Sequence, residues 1–288
     1  MAEAGLKRRT SLGAATLMIG ANFPDIDVLA LFFPGSIDVR RGATHGFLAL
    51  AILPFVLAWL MKSYDRQVRL RRDPTAMPAD PRQLTLLSAL AICTHPTLDF
   101  MNTYGMRWLM PFVNKWFYAD GLFIVDIYLL VILVSGVWWS RRTQRTRPAR
   151  VALAALASYV LAMLSITTLG RTQVAKVSPG SRVMLAPVAA IPWQRRVVID
   201  EGDGYRLGSW SLGNGFAEGG APAIPKGDQG PDREAVIMAR AHPEARPFLR
   251  WSRFPVYRVS RTGPVTVVHM EDARYLGAGW ASATIRLP

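Results

Sequence analysis

Two stretches of this chain are long and apolar enough to restrict where it can fold. Residues 44–61 read THGFLALAILPFVLAWLM, and residues 151–169 read VALAALASYVLAMLSITTL. A bilayer core about 30 Å thick is crossed by roughly 20 apolar residues in a helix, so each run is about one span long. Three more runs are of the same kind: residues 11–33, apolar apart from Asn22, Asp25 and Asp27; residues 84–100; and residues 122–139, LFIVDIYLLVILVSGVWW. The expected count is about five spans.

Charge between the runs supports this reading. Lys7, Arg8 and Arg9 precede the first run. Lys62, Arg66, Arg69, Arg71, Arg72 and Arg82 follow the second, and Arg141, Arg142, Arg145, Arg147 and Arg150 follow the fourth. Segments 34–43 and 101–121 are poor in Lys and Arg. Such alternation is what the positive-inside bias produces, so the N-terminus is expected in the cytoplasm and the residues after the fifth run outside. Topology then accounts for much of the net charge of +14, and no nucleic-acid partner is expected. Charged residues are 19% of the chain, against about 25% in soluble domains. The single cysteine, Cys93, excludes an intrachain disulfide and reads as a small packing residue. The first run ends in PDID rather than at a small-residue cleavage site, so no cleavable signal peptide is expected.

Beyond about Gly170 long apolar runs cease. RRVVID, YRLGSWSL, VYRVS and VTVVHM alternate as strands do, and GNGFAEGGAPAIPKGDQGPD reads as a loop. The expected fold is therefore mostly α: a polytopic helical membrane bundle over 1–170, then a small β-rich extramembrane domain over 171–288 on the outer, periplasmic side.

Against that background the polar residues are expensive. An Asp at the centre of a membrane helix costs roughly 2.5–3.5 kcal/mol. Yet PDID brings Asp25 and Asp27 to the outer end of the first run, and RGATH places Arg41 and His45 at the outer start of the second. HPTLD puts His95 and Asp99 near the outer end of the third, and YADGLFIVD brings Asp120 and Asp126 to the start of the fourth. Four segments thus deliver carboxylates and imidazoles to one face. His95 and Asp99 are four residues apart, on one side of a helix that Pro96 suits as a first-turn residue. Imidazole nitrogen and carboxylate oxygen suit zinc, manganese or iron. Each group also has a structural reading: Asp25 and Asp27 as helix caps, His45 as an interfacial hydrogen bonder, His95 with Asp99 as a metal-free pair, and Asp126 as a partner of Arg40, Arg41 or Arg107. His242 and His269 read as structural or surface residues, and the Trp and Tyr residues of 104–118 as an interfacial belt.

PDID, RGATH, HPTLDFMNTYGMRWLMPF and WFYADGLFIVD, in that order, resemble the YdjM family of membrane-bound metal-dependent hydrolases, whose members are also described as LexA-regulated and inner-membrane-associated. The likeness covers about residues 5–140. It implies a multi-pass protein of the bacterial inner membrane with a divalent metal ion, zinc before manganese or iron. The family is in turn distantly similar to zinc-dependent phospholipase C and the P1-type nucleases, which implies phosphoester hydrolysis. Carried over by position, the implied metal ligands are Asp25 or Asp27, His45, His95 and Asp99, with Asp120 and Asp126 as further candidates. Family members usually begin with a short helix of the type Met-Asp-x-x-Thr-His, whereas this chain begins MAEAGLKRRT. The departure implies a start placed downstream of the true one, or a lost ligand; the first is the expectation.

The expected chemistry is attack by metal-activated water on a phosphorus or carbonyl centre. Asp27 or Asp126 would serve as general base, and Arg40 and Arg41 would bind a phosphate oxygen. The depth of the site points to a lipid-like or small-molecule substrate in contact with membrane lipid. The alternatives are a non-catalytic membrane scaffold or truncated inactive homologue, and a transporter, which would need polar residues through the whole membrane depth.

Overall fold

The computed structural model describes residues 1–32 and 40–288, without the side chains of 30–32. It forms two compact units, one ending at Leu164 and one running from Ser165 to Pro288.

The first unit is helical. After two short 3-10 turns, α1 spans Gly13–Asn22 and passes into a 3-10 helix, Phe23–Phe32. α2 spans Phe47–Tyr64 and continues through a π-helical turn, Asp65–Arg69, to Arg72. α3 spans Pro81–Phe100, α4 Ile127–Thr143 and α5 Arg147–Val177. Starts are set by carboxylates: Asp80 accepts from Arg82 N and Gln83 N, and Asp126 from Tyr128 N and Leu129 N. Such caps satisfy donors that the first helical turn leaves free. α3 packs against both α1 and α2, burying Leu84, Leu87, Ala91 and Ile92 at 2% exposure or less.

The expected five-span bundle is overturned. The described residues are about 51% helical and 20% strand. Among the described residues only two helices, Phe47–Arg72 and Arg147–Val177, are long and apolar enough to cross a membrane. The first run fails because its α-helix stops after 10 residues and tightens to 3-10 at Phe23–Phe32, where Pro24 lacks a backbone donor. The fourth gives a helix of 17 residues, about 26 Å long. The third has the length, but Arg82, Gln83, His95 and Asp99 lie within it. Pro96 does not restart that helix; it lies inside continuous α3, which packing against two neighbours holds together. Cys93 is exposed rather than packed.

The second unit contains two antiparallel sheets. β1 (Arg182–Val188), β2 (Ile191–Asp200), β3 (Gly204–Ser211) and β4 (Gly215–Glu218) pair in that order, with β5 (Ile224–Pro225) also on β3. β6 (Pro255–Thr262), β7 (Val265–Asp272) and β8 (Ser282–Leu287) form the other. Both faces of the first sheet are covered. Leu185, Val197, Ile199 and Trp210 pack with Val174 of α5, while Met184, Val198 and Tyr205 pack with Phe254 and Val256. The stretch read as a loop carries β4 and β5, and two helices unseen in the sequence, α6 (Arg233–Ala241) and α7 (Arg246–Trp251), precede β6.

Candidate metal centre

Asp25, His45, His95 and Asp99 each offer one ligand atom, and those atoms all lie within 4.8 Å of one another. They come from the 3-10 segment, the turn before α2 and the last turns of α3. The contacts have an unusual length. His45 Nε2 is 3.7 Å from Asp25 Oδ1 and 3.5 Å from Asp99 Oδ2. His95 Nε2 is 3.4 Å from Asp25 Oδ2 and 3.5 Å from Asp99 Oδ2. These are long for charge-assisted hydrogen bonds, which run about 2.7–2.9 Å. The two contacts that share Asp99 Oδ2 are close to the spacing of neighbouring donors around a tetrahedral ion, which with bonds of about 2.0–2.1 Å is about 3.4 Å. Among the described residues, His45 Nε2, His95 Nε2 and Asp99 Oδ2 are buried with no hydrogen-bond partner. Buried polar atoms left so cost about 1–3 kcal/mol each, and a cation between them satisfies all three. The residues present therefore fit a divalent metal.

The surrounding shell turns each ligand the right way. His95 Nδ1 lies 2.7 Å from the carbonyl oxygen of Ala21. A carbonyl only accepts, so Nδ1 carries a proton and Nε2 is the nitrogen turned toward the carboxylates, where a metal would take the place of its proton. His45 Nδ1 lies 2.9 Å from Thr44 Oγ1, which donates at 3.3 Å to Asp27 Oδ2. Asp27 Oδ2 also accepts from Arg41 N at 2.7 Å and lies 3.4 Å from His45 Nδ1. Asp27 thus stands behind His45, on the side away from Nε2. Arg41 Nη2 donates to Asp99 Oδ1 at 2.8 Å, and Nη1 donates to Asn102 Oδ1 and Gly105 O at 3.1 Å each. Its guanidinium lies 4.7 Å over the Tyr104 ring. Arg41 holds φ at 50°, which costs a residue with a Cβ roughly 1–2 kcal/mol. The contacts at its backbone and side chain offset that strain.

Charge in the group is balanced internally. Burial lowers the pKa of His95, but Asp25 and Asp99 beside it prevail and raise it to about 10. Burial pushes Asp99 up, and His45, His95 and Arg41 together hold it well below the usual carboxylate range. Burial also lowers His45, with Asp27 and Asp99 outweighing it to leave a net rise. For Asp25 the neighbouring His95 is the main cause of a lowered value. Asp25 is the open side of the group, with 41% of its side chain exposed against 0% for His45.

The other expected residues lie elsewhere. Arg40 Nη1 is 3.7 Å from Asp27 Oδ1, and Arg40 O accepts from Arg107 Nη2. Asp120 is fully buried at a φ of 55° and is not in the four-residue group. Asp126 caps α4 and accepts from Tyr159 Oη at 2.9–3.0 Å. Trp116, read as a membrane anchor, is 8% exposed with the Arg107 guanidinium over its ring. Sequence reasoning missed Thr44, Asn102 and the carbonyls of Ala21 and Gly105. Thr44 and Asn102 sit inside RGATH and HPTLDFMNTYG, beside the ligands, which is the only signal the sequence offers for them.

Similarity to known proteins agrees with the helical unit. The chain is similar to the uncharacterized protein YfhP of Bacillus subtilis (strain 168), with 23% identity over 127 residues, or 43% of this chain and 36% of that protein. It therefore spans little more than a third of that relative's length. No solved structure matches the chain. The model of the YdjM inner membrane protein family matches residues 1–171, which contain all four candidate ligands and both apolar helices up to Arg171. With well over half of its length covered by that match, this membrane-associated chain belongs to the YdjM inner membrane protein family.

Proposed function

We propose that Asp25, His45, His95 and Asp99 hold one divalent metal ion, zinc by the donor set, and that the protein is a membrane-bound metal-dependent hydrolase. The observation that carries this reading is the set of three buried donor atoms without a hydrogen-bond partner, with His45 Nε2 and His95 Nε2 each 3.5 Å from Asp99 Oδ2. When bound, zinc supplies a Lewis acid and makes water nucleophilic near neutral pH. The chain's own residues do the rest. Ala21 O and Thr44 keep protons on the Nδ1 atoms of His95 and His45. Asp27 orients His45 through Thr44, and Arg41 holds one oxygen of Asp99 so that the other faces the imidazoles. Arg40, at the rim beside Asp27, is the group available to a phosphate oxygen.

A lipid-like phosphoester is the substrate class favoured. A shallow, mainly apolar surface depression formed by Met18, Ile19, Phe23, Ile26 and Leu29 with Asn22 includes Asp25, the most exposed ligand. In this reading α2 and α5 cross the bilayer. Arg66–Arg72 at one end of α2 and Arg141–Arg150 at the start of α5 then face the cytoplasm. The metal group at the other end of α2 faces the periplasm, as does the unit that follows α5.

The test is elemental analysis of detergent-purified protein beside His95→Ala. About one equivalent of zinc, manganese or iron, lost in the variant, is the expected result and leads to a screen of long-chain phosphoesters. Full metal content in the variant, or none in either protein, overturns the site.

A further inference from the structure

A second candidate site lies at the basic end of the helical unit. A cleft of about 490 Å³ runs between α4 and the first turns of α5. Its walls are Ile132, Gly136, Trp139, Val151, Ala152 and Ala155, and its mouth carries Arg145 and Arg147. The floor exists because the helices approach closely: a Cβ on Gly136 would lie 2.2 Å from that of Ala152. Trp139 is 60% exposed, an amphipathic ring where a helix leaves an apolar region. Among the described residues that line the cleft there is no carboxylate. The mouth also meets the N-terminus of α5, where the helix dipole favours negative charge. One chemistry matches an apolar trough ending in two arginines within a membrane protein: a diacyl lipid with an anionic headgroup.

We propose that this cleft binds an anionic phospholipid, one acyl chain lying along Val151 and Ala155 and the headgroup phosphate held by Arg145 and Arg147. Volume fits the assignment, since small-molecule sites run about 300–1,000 Å³. Basic pockets between membrane helices suit such headgroups because the charge is neutralised in a weakly hydrated setting. The proposal stands apart from the metal centre, none of whose residues line the cleft. It also differs from diffuse attraction between a basic loop and a charged bilayer, which would not depend on the shape of the cleft.

The experiment uses the full chain in mixed micelles, with native mass spectrometry counting phosphatidylglycerol or phosphatidylcholine retained after delipidation. The wild-type protein should retain phosphatidylglycerol at least several-fold better than phosphatidylcholine. The Arg145→Gln/Arg147→Gln double variant should lose that preference. Ala155→Phe, which fills the trough and leaves both charges in place, should lower retention of both lipids. Unchanged metal content and circular dichroism in the variants show that the helices are intact. Equal retention of the two lipids by the wild type, or full anionic retention in Ala155→Phe, overturns the proposal; the second result would assign the effect to loop charge alone.

Discussion

Arg41 Nη2 donates to Asp99 Oδ1 at 2.8 Å, and Asp99 Oδ2 is left buried between the two imidazoles without a hydrogen-bond partner. One oxygen is committed to the protein and the other is aimed at the place where a cation fits. A carboxylate free to rotate would present either oxygen and lose this direction. Arg41→Ala should therefore weaken metal binding by about 10–100-fold although Arg41 is not a ligand. Competition with a chelator of known affinity measures this, and an unchanged affinity would remove Arg41 from the site. Arg41→Lys should rescue little, since a single ammonium cannot reach Asp99, Asn102 and Gly105 together.

Asp126 and Asp99 are both carboxylates from the motif set but should separate cleanly on substitution. Asp99→Ala should lose the metal. Asp126→Ala should keep it while losing a helix cap and the Tyr159 hydroxyl contact, a stability cost of about 1–2 kcal/mol. Parallel metal analysis and thermal unfolding check the pair; loss of metal in Asp126→Ala would bring that residue into the site.

Gly46 follows His45 at a close approach of two backbones, where an added Cβ would meet the Met110 carbonyl oxygen at 2.3 Å. Phe47 N donates to Trp108 O beside it, so neither backbone can withdraw without breaking that bond. Gly46→Ala should destabilise the helical unit by about 1–3 kcal/mol and lower metal occupancy by displacing His45. Equilibrium unfolding with and without added zinc measures both.

In the second unit, Asp272 is fully buried. Burial alone raises its pKa, but Arg274, with the Ser252 hydroxyl and backbone amides, holds it below the ordinary value. A carboxyl depressed in the folded state contributes stability that is present above its unfolded pKa of about 3.9 and is lost as pH falls through the lower folded value. Acid titration followed by tryptophan fluorescence should show this unit losing stability below about pH 4. In Asp272→Asn that part of the pH dependence should vanish, with lower stability at neutral pH. An identical acid profile in both proteins would exclude Asp272 as the cause.

Part of this was legible in the linear chain. His95 and Asp99 share a helical face by spacing alone, and the four-motif order marks which carboxylates and imidazoles belong together. Alternation in RRVVID and VTVVHM corresponds to β2 and β7. By contrast, α6 is only 9 residues long, so its amphipathic pattern extends over little more than about two turns. The apolar run at 11–33 misled because apolarity does not report backbone continuity: the helix changes character at PDID.

Residue types, their periods and the length of two apolar helices were determined by the sequence itself, because each depends on neighbours within a few positions. Which nitrogen of His95 points at Asp25, which oxygen of Asp99 is free, and that Asp27 stands behind His45 were decided only by the tertiary structure. Those orientations hang on partners far along the chain: Ala21 for His95, Arg41 for Asp99, and Arg41 and Thr44 for Asp27. Side-chain direction follows from such long-range hydrogen bonds, and no local period encodes them.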